Sequence, residues 1–193
     1  MYLNSNEYQE LVSIIKKCYC PEKIKQPNGD EFFGFYNLKR LYGMPNEFQK
    51  TINILSNCLS FYPLCAPDVG ISPFIGALSL IKGIPSIYVR NSPKYYYLSY
   101  GSKQEHNTPW VFGDFLESGQ KVQIFDDVID SGSSIIKTVQ ILQEINIVVD
   151  SVVCIMSIED KEKAINNLSK YGITNIKILL EVSEISDNLG RKL

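Results

Sequence analysis

The sequence predicts an α/β domain built on a parallel central sheet with helices on both faces. Three observations carry this reading. From about residue 60 onward, short apolar runs alternate with amphipathic stretches, the βαβα rhythm whose crossovers are right-handed. Residues 151–158 (SVVCIMSI) are almost continuously apolar, as in a strand covered on both faces. The 193 residues, 45% hydrophobic and 21% charged, suit one domain with a sizeable core and exclude a disordered or fibrous chain.

Asn4 and Glu7 stand at capping-box spacing ahead of Leu11, Val12, Ile14 and Ile15, which predicts a helix to about Lys17. Residues 20–31 hold Pro21, Pro27 and Gly29 and read as a loop. Residues 32–39 are aromatic-rich and read as extended. Pro45 opens a helix whose Phe48, Ile52, Leu55 and Leu59 share one face. An apolar stretch at Leu64 and Cys65 leads into a helix from about Pro73 that stops at Gly83, and Ser86–Arg90 is a strand. Residues 91–109 show no apolar periodicity and read as a long loop, a feature that is usually functional in a compact domain. Then come a strand over 121–125, a turn, a helix over 133–146, the apolar strand, a helix over 160–171 closed by Gly172, and a strand over 176–182. Ligands of such sheets sit beyond the carboxyl ends of the strands, which points to residues 66–73, 90–109 and 126–134.

Nineteen basic and 21 acidic residues give a net charge of −2, with no general basic excess to track a nucleic-acid backbone. Residues 1–10 offer only Leu3 and two tyrosines among polar residues, so no signal-peptide core is expected there. No run approaches the roughly 18 apolar residues of a membrane helix. A soluble, cytoplasmic protein bound neither to nucleic acid nor to membrane is expected. The five cysteines and the single histidine, His106, cannot readily assemble a Cys/His zinc site, and the thiols read as reduced, mostly buried hydrophobes. His106 reads as an exposed loop residue.

The chemistry concentrates in residues 122–134, VQIFDDVIDSGSS. A hydrophobic strand ends in the adjacent carboxylates Asp126 and Asp127, and a turn with Gly132 and three serines then feeds a helix. Backbone N–H groups and hydroxyls at a helix N-terminus form a phosphate cradle, while the acids can take ribose hydroxyls or sit near a metal-bound sugar. An isolated Asp-Asp would read as a capped surface turn. The whole string favours a sugar-phosphate site.

This string resembles the phosphoribosyl-diphosphate (PRPP) motif of the type I phosphoribosyltransferases, with Asp130 where the family usually has threonine. The resemblance extends over roughly residues 20 to 185. Residues 30–41, with Phe35, Tyr36, Asn37, Leu38, Lys39 and Arg40, are similar to the N-terminal base-covering segment of orotate phosphoribosyltransferases, and CAPDVGISP at 65–73 to their pyrophosphate loop. Ser86 to Lys94 is similar to the strand entering their mobile catalytic loop, and residues 112–122 to the segment returning from it. The resemblance implies the type I phosphoribosyltransferase fold, with residues 1–193 as one domain and 1–45 contributing a small hood-like element. It implies transfer of phosphoribose from PRPP to a nucleobase, orotate first, in a homodimer with Mg²⁺ as cofactor, held mainly by PRPP and water rather than by protein ligands.

The same resemblance assigns Lys94, Asp126 and Asp127 to catalysis, and Arg90, Asp130, Ser131, Gly132, Ser133 and Ser134 to PRPP. Ala66, Pro67, Asp68, Val69 and Gly70 fall to the pyrophosphate, and Lys25, Phe35, Tyr36 and Lys161 to the base. These residue types suit the chemistry. An oxocarbenium-like centre needs no protein nucleophile, Arg90 can clamp a diphosphate bidentately, and Lys94 can close over the leaving group and exclude water. Phe35 and Tyr36 read equally as core, and Tyr95, Tyr96 and Tyr97 as base cover, partner contact or loop aromatics.

Four positions depart from the orotate pattern. Asn91 replaces a second lysine, Tyr96 a histidine, Gly70 a lysine of bacterial members, and Asp160 an arginine that faces orotate, unless Lys161 substitutes by a one-residue shift. Loss of that arginine should weaken an anionic base by about 1–3 kcal/mol. Another base, or a noncatalytic PRPP-binding regulator, are therefore the alternatives.

Overall fold

The computed structural model describes residues 2–25, 31–90, 110–112 and 116–185. A six-stranded sheet of order β5-β4-β3-β6-β7-β8 forms the centre, and a separate antiparallel hairpin, β1 (Tyr19–Lys25) and β2 (Glu31–Tyr36), stands beside it. β3 (Leu64–Ala66), β4 (Ser86–Arg90), β6 (Lys121–Ile129), β7 (Val148–Ser157) and β8 (Ile176–Glu181) run parallel. The expected parallel sheet is thus present, but its edge strand β5 (Trp110–Phe112) is antiparallel to β4, pairing Arg90 with Trp110. An antiparallel edge on a parallel sheet is common in doubly wound folds, and three residues are too few to show any periodicity.

The helices are α1 (Ser5–Lys16), α2 (Pro45–Cys58), α3 (Ser72–Lys82), α4 (Ser133–Glu144), α5 (Lys161–Ser169) and the short α6 (Val182–Ile185). The capping box at α1 is reciprocal: Asn4 Oδ1 accepts from the Glu7 N–H and Glu7 Oε2 accepts from the Asn4 N–H, each at 3.0 Å. α3 ends on Gly83 at φ 63°, a left-handed cap that glycine adopts at no steric cost. One sheet face packs Leu64, Ala66, Phe125, Val153 and Ile155 against α1, α2 and α3. The other packs Cys65, Ile87, Val122, Ile124 and Cys154 against α4 and α5. The alternation along each strand supplies both cores, as the continuous apolar run over 151–158 requires.

Two local expectations are corrected. Residues 20–25, expected in a loop, are strand: Pro21 falls where the β1–β2 register shifts between Cys20 and Lys23, one of the few places a sheet tolerates proline. The turn expected directly after Phe125 begins only after Ile129, because β6 keeps pairing with β7 through Asp126, Val128 and Ile129. The length of β7, not local propensity, carries β6 onward. Among the described residues no helix is long and apolar enough to cross a membrane. All five cysteines are buried and free.

Candidate functional site

The carboxyl ends of β3, β4 and β6 lie side by side. Cys65 is level with Ile124 on one flank and Ile87 on the other, so the turn after Ala66, the end of β4 at Arg90 and the acid pair of β6 meet at one edge. After β3 the chain buries Ala66 and Pro67, exposes Asp68 and Val69, and enters a 3₁₀ turn, Val69–Ile71, that leads into α3. Asp68 Oδ1 accepts from the Val69 N–H at 2.6 Å and caps that turn.

Asp126 and Asp127 are half-buried within β6. Each carboxylate accepts from the next backbone N–H, Asp126 from Asp127 at 3.0 Å and Asp127 from Val128 at 2.9 Å. Burial first, and then the charges of Asp127 and Asp68, push Asp126 up to about 7, against the partial relief of its backbone hydrogen bond. Asp127 is also raised by burial, and the Lys39 ammonium opposes that rise. Both carboxyls therefore hold their protons more tightly than exposed ones, with Asp68 close enough to add to the rise at Asp126.

Beyond β6, Gly132 takes φ 82° at the entrance to α4. A β-carbon there would also lie 3.3 Å from Leu168 of α5, so both backbone and space call for glycine. Asn167 Nδ2 donates to the Ser131 carbonyl at 3.1 Å and ties this turn to α5. Ser133 and Ser134 are exposed at the first turn of α4, and Asp130 is exposed, its charge felt by Lys163 rather than turned inward.

The structure thus brings Asp126, Asp127, the Ala66–Gly70 segment, the Ser131–Ser134 turn and the backbone of Arg90 to one end of the sheet. Lys94, Asn91, the three tyrosines at 95–97 and His106 lie outside the described residues. Lys25 ends β1, paired in register with Glu31. Tyr36 packs against the core beside α1 and meets Tyr19 at 5.6 Å between ring centroids, and Phe35 is half-buried. Lys161 is two strands from the acid pair, its ammonium 3.2 Å from Glu184 and 3.7 Å from Glu181. Asp160 caps α5 by accepting from the Glu162 N–H at 2.9 Å. The acid at this position thus has a structural task.

Three residues at this edge have no site role in the sequence reading: Asn167, Tyr42, and Lys39, which that reading names only as part of the base-covering segment. Tyr42 donates to the Gly70 carbonyl at 3.3 Å, and burial, then the charge of Asp127, push its hydroxyl up to about 12. Its ring meets Phe48 and Phe74, and Phe74 meets Phe125 directly before the acid pair. No spacing in the sequence relates residue 42 to residues 70 and 127.

Among the described residues, no group of three or more His, Cys, Asp or Glu side chains is arranged to hold a metal ion alone. No family model matches the sequence. The chain is 23% identical over 151 residues to the orotate phosphoribosyltransferase of Thermoplasma volcanium, spanning 78% of this chain and 82% of that one. It is 30% identical over 132 residues to the orotate phosphoribosyltransferase of Pyrococcus horikoshii, spanning 68% of this chain and 64% of the relative. Among solved structures, orotate phosphoribosyltransferase from Aeropyrum pernix superposes with a TM-score of 0.71 at 19% identity, covering 91% of this chain and 95% of that one. Adenine phosphoribosyltransferase from Thermoanaerobacter pseudethanolicus superposes at 0.66 with 21% identity, covering 88% and 99%.

Proposed function

We propose that this chain, a type I phosphoribosyltransferase by fold and by its sequence relatives, transfers phosphoribose from PRPP to a nucleobase, orotate first, yielding orotidine 5′-monophosphate and pyrophosphate. One observation carries the reading: the acid pair of β6 lies between the Ala66–Gly70 segment and the glycine-serine entrance to α4. Such an edge offers phosphate-binding amides at either end and carboxylates for the ribose between them.

In the reaction the anomeric C–O bond to pyrophosphate breaks, its electron pair leaving with the pyrophosphate. A base nitrogen supplies the pair for the new C–N bond and gives up its proton to solvent or to the departing pyrophosphate. Asp126 and Asp127 hold the ribose hydroxyls and favour positive charge on the sugar ring. Arg90, at the end of β4, and Lys94 meet the diphosphate. The Ser131–Ser134 turn binds the 5′-phosphate at the α4 N-terminus. The residues present fit Mg²⁺ that arrives with the diphosphate: carboxylate oxygens are hard donors, but no three of them among the described residues are arranged to hold the ion alone. Bound Mg²⁺, held mainly by PRPP oxygens and water, supplies charge neutralisation on the leaving group.

A second reading, transfer to an uncharged base, draws on Asp160 and Lys161. The first stands as a helix cap where orotate enzymes place an arginine, and the second is engaged by Glu181 and Glu184. A homodimer is part of the same proposal, supported by exposed Phe61, Leu80 and Ile81, with Lys82 Nζ 4.1 Å from the Phe61 ring centroid.

The test is pyrophosphate release from PRPP with Mg²⁺ across orotate, uracil, adenine and guanine, with Asp127→Asn as control. Release with orotate, lost in the control, is the expected result. Release with another base alone moves the substrate, and PRPP binding without release overturns catalysis and leaves a binding protein.

A further inference from the structure

We propose that Lys39 is a PRPP-binding residue, supplying from a separate element the cation that the Ala66–Gly70 segment does not itself carry. This deepens the reading above and rests on it. The Ala66–Gly70 segment has no basic residue, carries the acid Asp68, and stands beside Asp126 and Asp127. A diphosphate approaching it meets like charge unless a cation intervenes.

Lys39 and Arg40 are adjacent in sequence but serve different ends. Arg40 Nη1 donates to the Tyr19 carbonyl at 2.9 Å and contacts Cys20 Sγ at 3.4 Å, which commits it to the hairpin. Lys39 turns toward the site. Its Nζ lies 3.0 Å, and its Cε 3.7 Å, from the point a β-carbon of residue 70 would occupy; Asp68 Oδ2 is 3.5 Å from the same point. Among the described residues its ammonium is in no ion pair, and the residue is exposed.

The position is built rather than incidental. Asn37 Oδ1 accepts from the Lys39 N–H at 3.2 Å and caps the 3₁₀ turn Leu38–Gly43. Tyr42, on that turn, is hydrogen-bonded to the Gly70 carbonyl and packed among Phe48 and Phe74. Gly70 does not take a positive φ, so its backbone does not demand glycine. What the missing side chain provides is space for the ammonium. A lysine there is a compact point charge with three donors, suited to phosphate oxygens.

The experiment titrates PRPP with Mg²⁺, and separately inorganic pyrophosphate, into the unaltered chain, Lys39→Ala, Lys39→Arg and the double variant Lys39→Ala/Gly70→Lys, with thermal midpoints as a folding control. Lys39→Ala should weaken both ligands about tenfold to a hundredfold. The midpoint should stay unchanged, Lys39→Arg should retain most of the affinity, and the double variant should regain it. Affinities of Lys39→Ala within twofold of the unaltered chain would overturn the proposal, as would a double variant no better than the single one. If the unaltered chain binds pyrophosphate but not PRPP, phosphoribosyl transfer fails while the pyrophosphate titrations still decide Lys39. Binding of neither ligand sinks both.

Discussion

Gly132 and Leu168 meet across the entrance to α4, where a β-carbon on residue 132 would lie 3.3 Å from the leucine side chain. This contact fixes how closely the serine turn approaches α5, and Gly132 at φ 82° shapes that turn. Gly132→Ala combines a strained backbone with a tight contact against the buried Leu168 side chain. A loss of about 1–3 kcal/mol is expected in denaturant unfolding, with a higher KM for PRPP because the α4 amides shift.

The Asp126 carboxyl gives stability a pH dependence with a definite sign. Folded, it titrates at about 7 rather than at its ordinary value of 3.8, so the folded state binds the proton more tightly. Below about 4 both states are protonated and the group is neutral to stability. As pH rises from about 4 toward 7 only the folded chain keeps its proton, so stability falls, and above 7 the loss is complete. Asp126→Asn should remove that slope in metal-free protein and raise stability at pH 8 by an amount on the order of 2–4 kcal/mol, while abolishing turnover. Thermal midpoints at pH 5 and pH 8 check it; equal slopes in the two proteins would refute it.

Asp160 is expected to matter through its cap. Asp160→Ala should cost about 1 kcal/mol, read as a lower thermal midpoint, by leaving the first turn of α5 without the acceptor now bonded to Glu162. Asp160→Arg loses the same cap but adds a cation where orotate enzymes carry one. If orotate is the substrate, its KM should fall with little change in kcat; an unchanged KM would place the base elsewhere.

Ser157 closes β7 with a buried hydroxyl that has no hydrogen-bond partner among the described residues. Ser157→Ala removes an unsatisfied polar group and should raise stability by roughly 1 kcal/mol in chemical denaturation. A loss of stability instead would mean that the hydroxyl is partnered in solution.

The βαβα order, both faces of the core and the acid pair with its glycine turn were legible because each rests on local pattern: period-2 apolar strands, apolar helix faces, caps at Asn4 and Gly83, and a glycine before the serines. The errors came where a partner strand outvoted local signals. Pro21 suggested a loop but sits at a register shift in a hairpin, and Asp126 looked like the start of a turn but pairs with Cys154 across β7.

Sequence alone determined which chemical groups this protein presents at the end of β6, since adjacent acids followed by a glycine and serines occupy that edge however the rest of the chain packs. It could not determine the charges around them. Lys39, Tyr42 and Gly70 meet because an aromatic cluster seats the Leu38–Gly43 turn on α2, α3 and β6. Lys161 is drawn instead to Glu181 and Glu184 because α5 packs beside β8. Charge acts through space and falls off over a few ångströms, so only the tertiary packing decides which cation faces the site.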